Sequence, residues 1–496
     1  MKLVLIAMPD TAPIVVHEAA IHIPNLGIAT IGAQIDKCHD VFIIDLVRKR
    51  NKVRRYLTEI LLKLKPDLIG LSAMAWQYDT CVKIAKLIKT LLPQIKIVIG
   101  GYHATLMATE IARTSDAALF DFMVRGEGEE ACRRLMNAIQ GADRLEEIPS
   151  LSYKKNGRFI HNPRGELCDL SNLKLPIRDK RRLTWGYHIM NKKIEVIETS
   201  RGCTRGCNFC SIRQMYGRSF RTFPIKRVLA DLDNIYYHKK TYHVFVTDDN
   251  MVLNPKRIIA LCDAIIQRNY HKLVMMVQAD CVSMAQNETM VQKMAQAGFK
   301  IVFLGIENIS KKNLAVANKG NIVEASKTAI KHCHKYGMMI IGGLVLGFPD
   351  DDAETVKRNY EFFNEQDIDA AICQILTPYL KTGIRQNLLK AGLVSNHDDF
   401  KRYTGLWANV RTKHLSTEQL QYLVWYYRQT VLGWWNPSKL VQRDGKLWTG
   451  IWHYAMKPVL QYFHARQIRK HGWESLYRLE MERLAAINVF KDLEEF

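Results

Sequence analysis

The sequence predicts an α/β protein made of two successive strand–helix series and a mostly helical C-terminal region. Three observations carry that prediction. Short apolar runs alternate with amphipathic stretches over residues 1 to 140, a second alternating series begins at Ile194, and after about Thr382 the alternation gives way to helical spacing rich in Trp, Tyr and basic residues. Strands that take turns with helices favour a parallel sheet, because a parallel crossover needs a long, usually helical, connection. The 496-residue chain is 48% hydrophobic and 24% charged. Those proportions are ordinary for folded domains and exclude a disordered, collagen-like or coiled-coil chain.

In the first unit, residues 1–140, the runs Leu3 to Met8, Val41 to Leu46, Leu68 to Ala73, Ile97 to Ile99 and Phe122 to Val124 read as strands. Segments between them, such as Val82 to Leu92, have helical spacing. Gly100-Gly101 follows the fourth strand and Gly126-Glu-Gly-Glu-Glu130 follows the fifth. Glycines just past strand ends lie where open α/β sheets let a ligand approach the backbone, although a plain tight turn explains each pair equally well. Residues 141–190 are polar and basic, with Asn156-Gly157 as a hairpin turn and the run Arg178 to Arg182 beyond it, and read as a linker.

The second unit, residues 191–382, has strands near Ile194 to Thr199, His243 to Thr247, Leu273 to Gln278, Lys300 to Ile306, Met338 to Leu346 and Ala370 to Leu376. Six such units make a partial barrel rather than a full eight. Residues 383–496 read as a separate unit or a cap on the barrel.

The net charge of +22 implies anionic company: nucleic acid, a phosphate-bearing substrate or a membrane surface. No stretch approaches the roughly 18 uncharged apolar residues of a spanning helix. The opening Met1-Lys-Leu-Val-Leu-Ile-Ala-Met-Pro-Asp10 is too short for a signal-peptide core and reads as a buried strand, so a cytosolic protein is expected. Of the eleven cysteines, those at 38, 81, 132, 168, 262, 281, 333 and 373 are scattered. In a reducing compartment they read as small core residues. The other three need a different explanation.

Cys203-Thr-Arg-Gly-Cys207-Asn-Phe-Cys210 spaces three thiols by three and two residues just after the first strand of the second unit. Thiolates hold iron–sulfur clusters, and a loop this compact can aim three of them at one cluster. Three ligands leave one iron open to a substrate, as catalytic zinc sites keep an open position. A zinc site completed by a distant His is the competing explanation.

At these residues the sequence resembles the radical SAM superfamily, whose signature is a CxxxCxxC loop after the first strand of a partial (βα)6 barrel. The resemblance implies a 4Fe-4S cluster on Cys203, Cys207 and Cys210. It further implies S-adenosylmethionine on the open iron, cleaved by an electron from the cluster to methionine and a 5'-deoxyadenosyl radical. It runs from about Glu195 to Leu380 and includes Asp248-Asp-Asn250, Gln278-Ala-Asp280, Gly305-Ile-Glu307 and Gly347-Phe-Pro349, all at strand C-terminal ends. By that similarity, Asp248 and Glu307 contact the methionine or ribose portions of the cosubstrate, and the Gly347 stretch lies near its adenine. A helix cap for the aspartates and an ion pair for Glu307 are the structural alternatives.

The first unit carries a second resemblance. Pro24-Asn-Leu-Gly27, Pro66-Asp-Leu-Ile-Gly-Leu-Ser72, Val98-Ile-Gly-Gly-Tyr-His103 and Arg125-Gly-Glu-Gly-Glu129 are similar to the Rossmann-like cobalamin-binding domain that precedes the barrel in one radical SAM subgroup. The Asp-x-His-x-x-Gly motif that ligates cobalt in other cobalamin proteins is lacking, since Asp36-Lys-Cys-His39 has the wrong spacing. Two readings stay open: cobalamin bound without a protein His, or a domain that has lost the cofactor. The cofactor tail would enter near Ser72 and Gly100-Gly101, and His103 reads as a local hydrogen-bonder or a contact to the cofactor's edge rather than a cobalt ligand.

In the tail, Trp434, Trp435, Trp448, Trp452, Tyr454, Tyr462, Phe463 and Trp473 interleave with Lys439, Lys446, Lys457, Arg466, Arg469 and Lys470. The mixture suits a packed helical cap, a peripheral membrane contact or single-stranded nucleic acid. Taken together, the resemblances imply an enzyme that functionalises an unactivated carbon, by C-methylation or C–C bond formation on a hydrophobic, lipid-like or tetrapyrrole substrate, with a flavodoxin or ferredoxin as reductant. A radical oxidative cyclase without methyl transfer, an RNA-modifying radical SAM enzyme and a non-catalytic cobalamin or redox sensor are the alternatives. Against the RNA reading, Cys38, Cys81 and Cys132 lack the motif context of a second cluster and the tail is helical in pattern. Against the sensor stand Asp248, Glu307 and the three clustered thiols. Tyr379, Tyr403 and His414 are the visible candidates for proton transfer.

Overall fold

β1 (Lys2–Ala7) is buried along nearly its whole length, as expected of a strand covered on both faces by helices. The computed structural model describes residues 1–11, 21–189, 192–431, 466, 468–470 and 472–494. After β1 come β2 (Ile21–His22), which joins a different sheet, β3 (Asp40–Asp45), β4 (Leu68–Ser72), β5 (Lys96–Gly100) and β6 (Phe122–Val124). β7 (Leu151–Lys155) and β8 (Arg158–His161) complete a seven-stranded sheet of order β3-β1-β4-β5-β6-β7-β8. Strands β3 to β6 and β1 run parallel, and the parallel register places Ala7 beside Asp45 and Ser72, and Ser72 beside Gly100. These residues form one row at the C-terminal edge of the sheet.

Helices Val53–Leu64, Tyr78–Leu91 and Tyr102–Ile111 cover one face, and Leu26–Gln34 and Glu129–Ile139 cover the other. The chain passes from β1 to β3 on one side and returns to β4 on the other. That reversal opens a crevice where doubly wound sheets bind ligands.

The stretch read as a linker is partly structural. Its Asn156-Gly157 turn does join a hairpin, with both residues at positive φ (51° and 78°), but β7 and β8 extend the first sheet by antiparallel pairing on β6. Within its basic run Arg178 and Arg181 are buried, while Lys180 and Arg182 stay exposed. Arg178 donates to Asp231 and Glu195, and Arg181 to Glu195.

The second sheet begins with β9 (His188–Ile189) and β10 (Lys192–Ile197). A short antiparallel pair, β11 (Ser200–Arg201) with β12 (Arg221–Thr222), brackets the cysteine loop. β13 (His243–Val246), β14 (Val274–Asp280), β15 (Phe299–Glu307), β16 (Met339–Leu346) and β17 (Ala370–Ile375) follow. The order is β17-β16-β15-β14-β13-β10-β9-β2, with the six strands from β10 to β17 parallel. The expected six-unit partial barrel is therefore present. Its outer edge is extended by β9 and, unforeseen, by β2 from the N-terminal unit.

After the barrel, helix Thr417–Thr430 starts with a capping box at Ser416 and Gln419 and inserts Leu420 into the barrel core. A helix over residues 472–486 follows, and Trp473 packs edge-on against Trp425 and Tyr426. The chain then returns to the first unit, where Phe490 and Leu493 join its core. The aromatic residues from Trp434 to Phe463 lie outside the described residues. Among the described residues no helix is long and apolar enough to cross a membrane.

Candidate functional site: a cysteine loop facing the edge of the first sheet

The loop over residues 202–220 leaves β11 at Gly202 (φ +85°), where a Cβ would lie 2.4 Å from the Ser219 carbonyl oxygen. Only glycine closes the loop that tightly. Cys203, Cys207 and Cys210 lie half-buried along it. Two neighbouring segments, at Ala317-Asn318 and at Ile384, pin the loop's backbone. Asn208 N–H donates to Ala317 O at 2.8 Å, Asn318 Nδ2 to Gly206 O at 2.8 Å and Ile384 N–H to Asn208 O at 3.1 Å.

The side chains at the strand ends supply the rest. Asp249 Oδ2 accepts from Gly202 N–H at 2.9 Å, and Asn250 Nδ2 donates to Cys203 Sγ at 3.7 Å and to Asp280 Oδ2 at 3.1 Å. Arg205 donates to Asp280 and Ser283. Burial pushes the Cys210 thiol up to about 12, with Cys207, Asp249 and Cys203 adding negative charge. Such thiols become thiolates when a metal's positive charge offsets that environment, which is the chemistry of a metal donor set.

Among the described residues no group of three or more His, Cys, Asp or Glu side chains closes tightly enough for a single metal ion. Three thiols on one compact loop, with Asn250 donating to Cys203 Sγ, are a donor set for a cluster held by separate thiolates.

The strand-end acids do not all face this loop. Asp248, expected at the cosubstrate, is fully buried; it accepts from Thr199 N–H and Oγ1, both at 2.6 Å, and from Ser200 Oγ. Its carboxylate braces the backbone ahead of the loop instead, and its neighbours Asp249 and Asn250 reach the loop. Glu307 ends β15 at φ +66°, beside a bulge against β16, and forms an ion pair with Lys319, whose Nζ also donates to Gly305 O at 2.9 Å. This pair lies against Cys207: Lys319 lowers and Glu307 raises the Cys207 thiol, which burial holds above its ordinary value. Lys319 had no sequence signal, because only folding brings it back to the end of its own strand's loop. Gly347 donates its N–H to Asp351 and packs against Leu420, Ile375 and Val410 rather than facing the cysteines.

On the first sheet, Ser72 and Gly100 end adjacent strands as expected. Gly101 (φ +90°) lies where a Cβ would come within 2.6 Å of Ala73 O, so the close approach there is by the chain's own backbone. His103 is 2% exposed, stacked on Tyr78 at 4.0 Å and met edge-on by Phe400 at 5.4 Å. Burial lowers it to about 4, so the ring is neutral, and its Nδ1 has no hydrogen-bond partner among the described residues.

The neighbouring Tyr102 turns the other way. Its phenol is held up by burial and by the charges of Tyr216, Asp249 and Cys210, and its helix packs against Ile212–Tyr216 of the loop. Thus the C-terminal edge of the first sheet faces the cysteine loop. Of the proton-transfer candidates, Tyr379 stands near Cys210. Tyr403 is fully buried with its hydroxyl on Asn396 O, and His414 is exposed.

A parallel half-barrel that opens on a three-cysteine loop, set against the ligand edge of a doubly wound sheet, defines a two-module cofactor enzyme. The B12 binding domain family matches residues 12–136 and the Radical SAM superfamily matches residues 197–363. The chain belongs to the radical SAM enzymes that carry a cobalamin-binding domain, whose cofactors are a 4Fe-4S cluster, S-adenosylmethionine and cobalamin. An uncharacterized methyltransferase, PH0819, of Pyrococcus horikoshii is 28% identical over 86% of this chain and 93% of its own length. The anaerobic magnesium-protoporphyrin IX monomethyl ester cyclase of Rubrivivax gelatinosus is 26% identical over 70% of this chain, which spans 63% of that protein. The cobalamin-dependent S-adenosylmethionine radical enzyme OxsB, solved with aqua-cobalamin and S-adenosylmethionine bound, superposes with a TM-score of 0.68 at 17% identity, covering 98% of this chain and 79% of its own.

Proposed function

We propose that this enzyme methylates an unactivated carbon of a hydrophobic, lipid-like or tetrapyrrole substrate held between its two modules. The observation that carries the proposal is the confrontation just described: the helix that begins at Tyr102, beside the Gly100-Gly101 edge, packs against Ile212–Tyr216 of the cysteine loop. In this reading Cys203, Cys207 and Cys210 hold the cluster, Glu307 and Lys319 line the cosubstrate's seat, and Ser72, Gly100, Gly101 and His103 line that of the cobalamin. When bound, these groups supply a carbon-centred radical and a methyl donor, which no side chain of the chain can supply.

The protein's own residues do the positioning. Asp248 holds the backbone at Thr199 ahead of the loop, Asp249 holds the N–H of Gly202 itself, and Asn250 orients Cys203. The rings of Tyr78, His103 and Phe400 pack together where the first module meets the C-terminal region.

The test is anaerobic loading with iron, sulfide and hydroxocobalamin, followed by reduction with S-adenosylmethionine present. About four irons and one cobalamin per chain are expected, with both deoxyadenosine and S-adenosylhomocysteine as products. Replacing Cys203, Cys207 or Cys210 by Ala is expected to abolish iron loading and deoxyadenosine while leaving cobalamin binding intact; retention of cluster in all three variants sinks the assignment.

The cyclase relative favours one second reading, oxidative ring closure without methyl transfer, for which deoxyadenosine would appear alone. Peripheral membrane contact through the basic, aromatic C-terminal region belongs to the lipid form of the proposal. Cosedimentation with anionic vesicles tests it.

A further inference from the structure

Both ends of the cysteine loop are held by one carboxylate from the other module. Arg201, the last residue of β11, precedes the loop, and Arg221, the first of β12, follows it. Glu127 lies in the turn after β6, at the ligand edge of the first sheet. Its Oε1 accepts from Arg201 Nη1 at 2.7 Å and Arg221 Nη2 at 2.9 Å, and its Oε2 accepts from Arg221 Nη1 at 3.0 Å and Cys168 N–H at 2.7 Å. The rest of the Arg201 guanidinium is taken by Glu129 at 2.6 Å and by both oxygens of Glu198 at 3.0 Å. The side chains of Arg201, Glu127 and Glu129 are each exposed by 6% or less.

As a source of stability this is a poor choice. Burying an ion costs several kcal/mol in desolvation, and apolar residues of the same volume often serve a fold as well or better. What charged forks add is direction, since bidentate guanidinium–carboxylate contacts fix distance and angle together. The device is also placed where direction matters. Arg201 is two residues from Cys203, and Glu127 is in the loop beside Gly100-Gly101 and Tyr102.

We propose that Glu127 is a positioning residue that sets the separation and orientation of the cluster loop relative to the cobalamin-bearing edge, by clamping Arg201 and Arg221 at the two ends of the loop. The proposal rests on the cluster and cobalamin seats assigned above. It adds that their mutual geometry is imposed by one carboxylate rather than left to general packing between modules.

The experiment uses the full chain loaded with both cofactors and reduced until the cluster and cob(II)alamin are both paramagnetic, and measures the distance between the two spins by pulsed dipolar EPR. The unaltered protein is expected to give one narrow distribution. Glu127→Gln, which keeps the shape and removes the charge, is expected to load both cofactors and give a broadened or shifted distribution. Arg221→Gln releases one end of the loop while leaving Arg201 on its three acids, and is expected to broaden it as well. It decides the matter if Glu127→Gln fails to fold. Distributions that match the unaltered protein overturn the proposal, including the case in which the thermal midpoint falls, because a clamp that only stabilises the fold would do that. Failure of the unaltered protein to load a cofactor counts against the assignment of the seats and is distinguishable from failure of the clamp.

Discussion

Asp10 shows how one residue can carry the signature of a site without belonging to its chemistry. It follows β1 at the crevice of the first sheet, 5% exposed, with Oδ1 accepting from Thr80 Oγ1 at 2.8 Å and Oδ2 buried without a partner among the described residues. Burial pushes its carboxyl up to about 7, against the opposing pull of Thr80 and Arg50. Between about pH 4 and about pH 7 the folded protein therefore keeps a proton that the unfolded chain has released, so this group's contribution to stability falls as pH rises through that window. Asp10→Asn removes the titration. Its urea midpoint is expected to match the parent's at the acid end and to exceed it above neutrality, and parallel pH profiles would rule this out. At the same scale, the sequence points to Asp248 while it is Asp249 that bonds Gly202 N–H at the start of the loop. Adjacent residues at a strand end point opposite ways, and motif position alone does not say which faces the loop.

At the scale of elements, strands and turns were the most legible features. The six barrel strands and the Asn156-Gly157 turn follow from local period and turn chemistry, which short windows of sequence contain. Membership of a sheet does not. β2 is placed by β9, far away in the chain, and the β7–β8 hairpin by the preceding strand β6 across an intervening helix. The basic run Arg178 to Arg182 reads as part of a linker, because the burial of Arg178 and Arg181 depends on two acids, Asp231 and Glu195, that neighbour them only in three dimensions. Arg178 bonds both oxygens of Asp231 at 2.5 and 3.0 Å and donates to Val196 O at 2.7 Å. Arg178→Met strands those carboxylates, and removing one partner of such a buried pair costs roughly 3–5 kcal/mol. Chemical denaturation measures it; a loss below about 1 kcal/mol would mean the acids regain water as surface pairs do.

At the scale of the molecule, the C-terminal segment acts as a strap. It leaves the barrel cap at Trp473 and ends with Phe490 and Leu493 in the core of the first module, while Arg50 donates to Ile487 O and Asn488 Nδ2 donates to Thr11 O at 3.0 Å. The sequence reading of this region as a separate unit or barrel cap captures only its first half. Phe490 is 4% exposed, and truncating a buried Phe costs roughly 3–5 kcal/mol. Phe490→Ala is expected to lower the unfolding midpoint of the cobalamin-binding module and weaken hydroxocobalamin retention on a desalting column, with iron loading of the cysteine loop unchanged. Loss of both cofactors together would instead indicate a single cooperative unit.

The sequence by itself determined the cysteine loop, the two strand–helix series and the ligand edge of the first sheet, because each is written in spacing over a few to a few tens of residues. Only the tertiary structure decided that Asp249 rather than Asp248 reaches the loop, that Lys319 neutralises Glu307 beside Cys207, that Phe400 closes over His103, and that Glu127 grips both ends of the loop. Each of these joins residues whose meeting depends on sheet register and module docking. Those are set by burial and pairing summed over the whole chain, and no local pattern records them.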